Sequence, residues 1–401
     1  MHSIWRIVFF AVFLVSCSNK DIDITIQESN NTLGVLFQTD FSGDKVIDEF
    51  IGINNSNNYI SFDGLVICDT NQPVKLMRNY SLADRSIEIR CVFQGNSVFR
   101  FTHSFSGIVF QLDFRQKCLY ADEKSFYIDF LKDNGGEYVI SLNKNYQEQS
   151  ISIKDYQSGE ERNFSFINDG QGGVGKGSMN NSPSLFEMPH GFISFTCLTG
   201  EVICKSIRVT TPKKRLKLLL YGDSITETEV YYPCSSFSQS WPQLLCKSLP
   251  DCIASGFSGR SITDIIPIIK NELPYLDVDY VMITIGTNGG NTVDNLSELV
   301  DYLLDMGVQP ILNHIPCNEG DTQAGVNEII DKVRQKYSIK GVDFDKATVD
   351  EYGNVDKTKM FWEDYGPDYI ELKHDYWHHP NEKGSIAMYK QIMEDVPELF
   401  E

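Results

Sequence analysis

The chain has 401 residues, long for one domain and comfortable for two. It is 41% hydrophobic and 22% charged, the balance of a soluble globular protein, which excludes a disordered or fibrous class. A formal net charge of −20, with no long acidic run, excludes nucleic acid and anionic lipid as charge-driven partners and reads most simply as an acidic, soluble surface.

At the N-terminus Arg6 precedes an apolar run from Ile7 to Val15. The run is too short to span a bilayer as a helix and fits the hydrophobic core of a secretory leader. It ends in Leu14-Val15-Ser16-Cys17, followed by the polar Ser18-Asn19-Lys20-Asp21. This junction resembles the lipobox of bacterial lipoproteins. The resemblance implies a lipoprotein signal over residues 1–17, acyl chains on Cys17, and an exported protein held to a cell-envelope membrane through that lipid. An ordinary secretory leader that contains a cysteine is the alternative. Setting Cys17 aside leaves nine cysteines, so at least one has no intramolecular partner. No Cys-x-x-Cys pair or His/Cys cluster marks a zinc site. Several cysteines lie in apolar runs and read as small core residues.

Residues 24–210 read as a β-rich accessory domain. Ile87, Ile89, Cys91 and Phe93 alternate with mostly polar neighbours, as do Ile108, Phe110, Leu112 and Phe114. Turn residues such as Asp133-Asn134-Gly135-Gly136 separate the runs, and the whole predicts an all-β sandwich of the jelly-roll kind. Phe41-Ser42-Gly43-Asp44 and the run Val202 to Val209 resemble the first and last strands of concanavalin-like jelly rolls. Gly170 to Ser184, rich in glycine, serine and asparagine, reads as a long surface loop.

Thr211-Pro212-Lys213-Lys214-Arg215 is the clearest boundary, polar and interrupted by proline. Beyond it, over residues 216–401, the pattern changes. Short buried-looking runs at Leu216–Tyr221, Cys252–Ala254, Tyr280–Ile285, Pro310–Ile315 and Gly341–Phe344 predict strands. Helical patterns lie among them at Ser240–Ser248, Ile262–Leu273, Val293–Met306 and Gly325–Tyr337, the second carrying Pro267. Strand–helix alternation predicts an α/β fold with a parallel sheet covered on both faces.

Four segments in this half carry candidate chemistry. Gly222-Asp223-Ser224-Ile225-Thr226 directly follows the first apolar strand. Open α/β sheets place their ligand sites at the carboxyl ends of strands, so Ser224 is a candidate nucleophile. It lacks the Gly-x-Ser-x-Gly elbow, because Thr226 stands at the second glycine. The others are Ser258-Gly259-Arg260-Ser261, Gly286-Thr287-Asn288-Gly289 and Asp375-Tyr376-Trp377-His378-His379-Pro380-Asn381. Taken singly, each is an ordinary turn or cap. In this order and at strand ends, they supply a nucleophile, oxyanion donors, a base and an orienting carboxylate.

Together these blocks resemble the SGNH (GDSL-type) hydrolases, a family of esterases and lipases with a flavodoxin-like three-layer α/β/α fold. The resemblance covers about Leu216 to Glu401. It implies that Ser224 is the nucleophile, and that the oxyanion donors are the Ser224 and Gly259 backbone N–H groups with the Asn288 side chain. It also implies a histidine base oriented by Asp375, and no metal or organic cofactor. The chain departs from the family at Gly289, usually aspartate, and at Ala254, usually asparagine. One residue is also inserted near the base. Counting from Asp375 selects His378, and counting back from Pro380 selects His379. The three-residue spacing favours His378, as two side chains so spaced can meet on one turn of chain.

Among the remaining histidines, His103 reads as structural, and His314 falls at a strand end near the proposed site as a candidate lining residue. Trp241 reads as packing, whereas Tyr231, Tyr232, Trp362 and Trp377 lie in loop-like sequence. The combined reading is an exported serine esterase acting on small acyl esters, acetyl foremost, carried by carbohydrate. Alternatives are a lipase, lysophospholipase or thioesterase for longer chains, and a non-catalytic glycan-binding surface lipoprotein.

Overall fold

The computed structural model describes residues 33–53, 57–68, 72–102, 109–121, 124–146, 148–167, 193–227, 239–257, 259–319, 322–363 and 376–401. The leader with Cys17, the Gly170–Ser184 segment, Tyr231, Tyr232, Cys234, Asp375 and the histidines at 103, 190 and 374 lie outside them.

Over the described residues the first half is built mainly of strands. Thirteen strands join into one hydrogen-bonded sheet built around two long antiparallel partners, Asp84–Thr102 and Ser194–Thr211. The alternation in the sequence sets their inward face: Ile87, Ile89, Cys91 and Phe93 are buried, as are Val202, Cys204, Ile207 and Val209 opposite. Strand Gly34–Thr39 pairs with Ser194–Thr211, so the first and last described strands of this half are neighbours. Phe41-Ser42-Gly43-Asp44 is not the opening strand. The Asp40 carboxylate accepts from the Ser42 N–H and hydroxyl, and Phe41 adopts φ +62°, a left-handed turn that no strand tolerates. The chain then enters a short 3-10 helix, Asp44–Glu49.

The second half is an α/β layer structure. Strands β1 (Arg215–Gly222), β2 (Cys252–Gly256), β3 (Asp277–Thr284) and β4 (Gln309–Leu312) form a parallel sheet in the order β2-β1-β3-β4. Helices α1 (Trp241–Ser248), α2 (Ile262–Glu272), α3 (Val293–Asp305), α4 (Thr322–Tyr337), α5 (Phe344–Thr348) and α6 (Glu382–Asp395) surround it. Because side chains alternate along a strand, β1 feeds two cores. Leu218 and Leu220 pack with Trp241, Leu245, Phe344, Met388 and Ile392, from α1, α5 and α6. Leu219 and Tyr221, on the opposite face, share a core with Ile262, Ile265, Leu299 and Val333, from α2, α3 and α4. Both sheet faces are thus covered, and each fully buried Leu or Ile contributes roughly 1.5–3 kcal/mol.

Two local patterns are overridden. Pro267 sits inside α2 without ending it, where Ile265, Ile266, Ile268 and Ile269 are buried and the Ser261 N–H donates to Asp264 at the N-terminus (2.9 Å). Gly341–Phe344 does not form a full fifth strand. It runs beside β4, with Leu312 N–H donating to Lys340 O and His314 N–H to Val342 O. The Val342 N–H, however, goes to the Asn313 side chain (3.0 Å), and the chain turns into α5 at Phe344.

The halves are not separated by a linker. Only Pro212, Lys213 and Lys214 stand between the last strand of the β region and β1. The segment Asn79–Ala83 also docks on the α/β sheet, where the Ala83 N–H donates to Ala254 O on edge strand β2 (2.8 Å). The Glu272 carboxylate accepts from the Ser81 and Leu82 N–H groups and from the Ser255 hydroxyl.

Candidate active site

The order β2-β1-β3-β4 reverses at β1, the topological switch point at which open α/β sheets bind ligands. Ser224 lies just past the carboxyl end of β1. Gly222 permits the turn: a Cβ there would fall 2.1 Å from Thr226 Oγ1 and 2.4 Å from Thr284 O. The turn closes through Thr226 and Glu227 N–H groups donating to Asp223 O, and the Asp223 carboxylate accepts from the Ile225 N–H (3.0 Å). Trp241 anchors it from α1, its indole N–H donating to Ile225 O (2.8 Å). The indole is fully buried against Phe344.

His379 Nε2 lies 2.7 Å from Ser224 Oγ, and the two residues are 3% and 6% exposed. A serine hydroxyl bonded to an imidazole nitrogen is the arrangement by which a general base takes the proton of a nucleophile. His379 is held in β6 (Tyr376–Pro380), an antiparallel partner of β5 (Met360–Glu363), with Phe361 opposite His379. Directly afterwards Asn381 caps α6, accepting from the Gly384 N–H (3.1 Å), and its amide donates to Thr358 O and Met360 O. The preference for His378 therefore gives way to His379. It rested on the meeting of side chains three apart on a turn of chain, whereas this segment is an extended strand. Asp375, the expected orienting carboxylate, lies outside the described residues.

A carboxylate that sequence reading treated only as part of a motif enters here. Asp223 is fully buried, and burial pushes its carboxyl up to about 6, against the Ile225 N–H and the nearby His379, which favour the charged form. Its signal was its position next to the serine.

The expected oxyanion donors come from two loops that are tied together. Gly259 is exposed with φ +70°, and Asn288 Nδ2 donates to the neighbouring Arg260 O (3.0 Å). That bond orients the Asn288 side chain. Gly289 takes φ +78°, a left-handed conformation that favours glycine. Ala254 is buried in β2 and gives its carbonyl to Ala83. His314 does not serve the serine: its ring lies between Asp345 (3.0 Å) and Asp331 (2.9 Å). Donor atoms of His314, Asp343 and Asp345 lie close enough for a cation, but Asp343 is already met by Arg334 and Lys346.

Fold and site define a class: a parallel α/β protein with a buried serine–histidine pair at the switch point of its sheet. No family model and no curated protein matches the sequence. Among solved structures the chain is similar to a family two carbohydrate esterase from Cellvibrio japonicus. They share 12% identity over 92% of this chain and 98% of that one, with a TM-score of 0.33. It is also similar to a variant of an acetyl xylan esterase from Geobacillus stearothermophilus, at 18% identity over 45% of this chain and 94% of that one, with a TM-score of 0.36.

Proposed function

We propose that this chain is a serine esterase that removes small acyl groups, acetyl foremost, from carbohydrate. The observation that carries ester hydrolysis is the 2.7 Å contact between His379 Nε2 and Ser224 Oγ at the carboxyl end of β1. In this reading Ser224 Oγ bonds to the acyl carbon while its proton passes to His379, and the carbonyl oxygen takes up the negative charge. The Ser224 and Gly259 N–H groups and the Asn288 amide stabilise that oxyanion, each donor being worth roughly 10²–10³ in rate. Collapse expels the alcohol, which takes the proton from His379, and water then releases the acid by the same steps. The resemblance gives the role of orienting carboxylate to Asp375, and the reaction calls for no metal or cofactor.

The substrate side rests on the large β region joined to the site-bearing half, whose sandwich or jelly-roll character belongs to the same proposal. Export and lipid anchoring at Cys17 complete it. A serine-directed organophosphonate should label Ser224, and Ser224→Ala should abolish hydrolysis of a chromogenic acetyl ester while the far-UV spectrum is kept. Full activity in that variant would end the esterase reading. Acetyl, butyryl and octanoyl esters of one chromophore test the acyl preference, and a rate that rises with chain length would replace the acetyl reading by a lipase. Acetate release from a panel of acetylated polysaccharides then identifies the carrier.

A further inference from the structure

The two long partners of the β region set Cys91 directly opposite Cys204. Both side chains are fully buried, and the two Sγ atoms lie 3.3 Å apart. We propose that this pair is a modification site, and that Cys91 and Cys204 are joined by a disulfide bond in the protein folded under oxidising conditions.

The geometry is close to what the bond needs. Opposed Cβ atoms of an antiparallel pair lie about 4.5–5.5 Å apart, whereas a disulfide takes about 3.5–4.5 Å. The ladder is bulged between Cys204 and Ser206, and a bulge sharpens local twist, which lets two opposed residues close such a gap. Cys197, on the same strand, is placed differently: its thiol faces the carbonyls of Thr199 and Gly200.

The step is a thiol–disulfide exchange with an oxidised dithiol donor. One cysteine thiolate attacks the donor disulfide and forms a mixed disulfide. The second displaces the donor sulfur, so two electrons and two protons pass to the donor and one Sγ–Sγ bond forms. Burial raises the Cys91 thiol well above its ordinary range, which disfavours thiolate in the finished core. The exchange therefore belongs to folding, before the sheet closes, and the finished bond is shielded from reductant. It would close a loop spanning 113 positions, from the strand that begins at Asp84 to the strand that leads into β1 and Ser224. Closing so long a loop restricts the unfolded chain strongly.

The full-length chain, refolded in a mixture of oxidised and reduced glutathione, is denatured, alkylated without reduction, digested and mapped by mass spectrometry. The expected result is one peptide pair joining Cys91 to Cys204. The thermal midpoint of the oxidised protein should exceed that of protein refolded under dithiothreitol by roughly 2–6 °C. Folded oxidised protein should also resist dithiothreitol that reduces it in denaturant. Cys91 and Cys204 each recovered alkylated, or either joined to another cysteine, would overturn the proposal. The wild-type mapping needs no variant to fold. In Cys204→Ala the difference between oxidised and reduced midpoints should vanish, and its persistence would also count against the bond.

Discussion

His379 reaches Ser224 from β6, whose ladder with β5 shifts register between the Phe361–His379 and Trp362–Trp377 pairs, so the histidine that meets the serine is set by strand register rather than by counting along the chain. His379→Ala should lower ester turnover by about 10²–10⁴, the usual worth of general-base transfer. His378→Ala should keep turnover near the wild-type value on the same ester. The reverse pattern would show that another histidine takes the proton. Ser224 and Gly222 were legible in the sequence because a glycine and a serine after an apolar run mark a turn at a strand end. The choice between His378 and His379 was not, because it depends on whether the segment coils or extends.

The element that carries His314 links the end of β4 to α4 and α5. Burial disfavours the charged ring, but the Asp345 and Asp331 carboxylates outweigh it, and the His314 pKa lies above its ordinary value of 6.5. A raised folded-state pKa means that the folded protein holds this proton more tightly than the unfolded chain. The resulting stability is full below the ordinary value and is lost as pH rises through the raised one. The loss of thermal midpoint in His314→Gln should therefore be larger near about pH 5.5 than near about pH 9, followed by circular dichroism. Equal losses at both would show that the ring is bound neutral. In the sequence His314 was one histidine at a strand end, because its partners sit 17 and 31 positions away.

Over the whole molecule, the composition shift at Thr211–Arg215 is real, but it does not separate two cores. Ile87, Phe93 and Val209 of the β region belong to the same connected cluster as Leu219, Ile265 and Leu299 of the α/β half. Glu272, fully buried, is matched by N–H groups of Ser81 and Leu82. Fragment 212–401 should therefore be less stable and less soluble than the full chain, since it bares that apolar face and leaves Glu272 short of donors. A fragment with the thermal midpoint and solubility of the intact protein would show that the halves are independent. The proposed anchoring is tested at the other end of the chain. Two or more acyl chains give stable membrane attachment. Cys17→Ser should move the protein out of the membrane fraction, and unchanged fractionation would reject lipidation there.

By itself the sequence determined the α/β alternation after Arg215, the β pattern around Ile87–Phe93 and the serine turn, because each is written in short-range periodicity and turn chemistry. Only the tertiary structure decided that Phe41 turns instead of extending, that Gly341–Phe344 gives way to α5, and that Pro267 stays within a helix. Hydrogen bonds and burial contributed by neighbouring residues outweigh local preference at those points. It likewise decided that His379 faces Ser224, that Asp223 is buried beside the pair, that Cys91 meets Cys204, and that one core runs through both halves. Those relations join residues far apart in the chain, and their energies depend on strand register and packing, which no local pattern encodes.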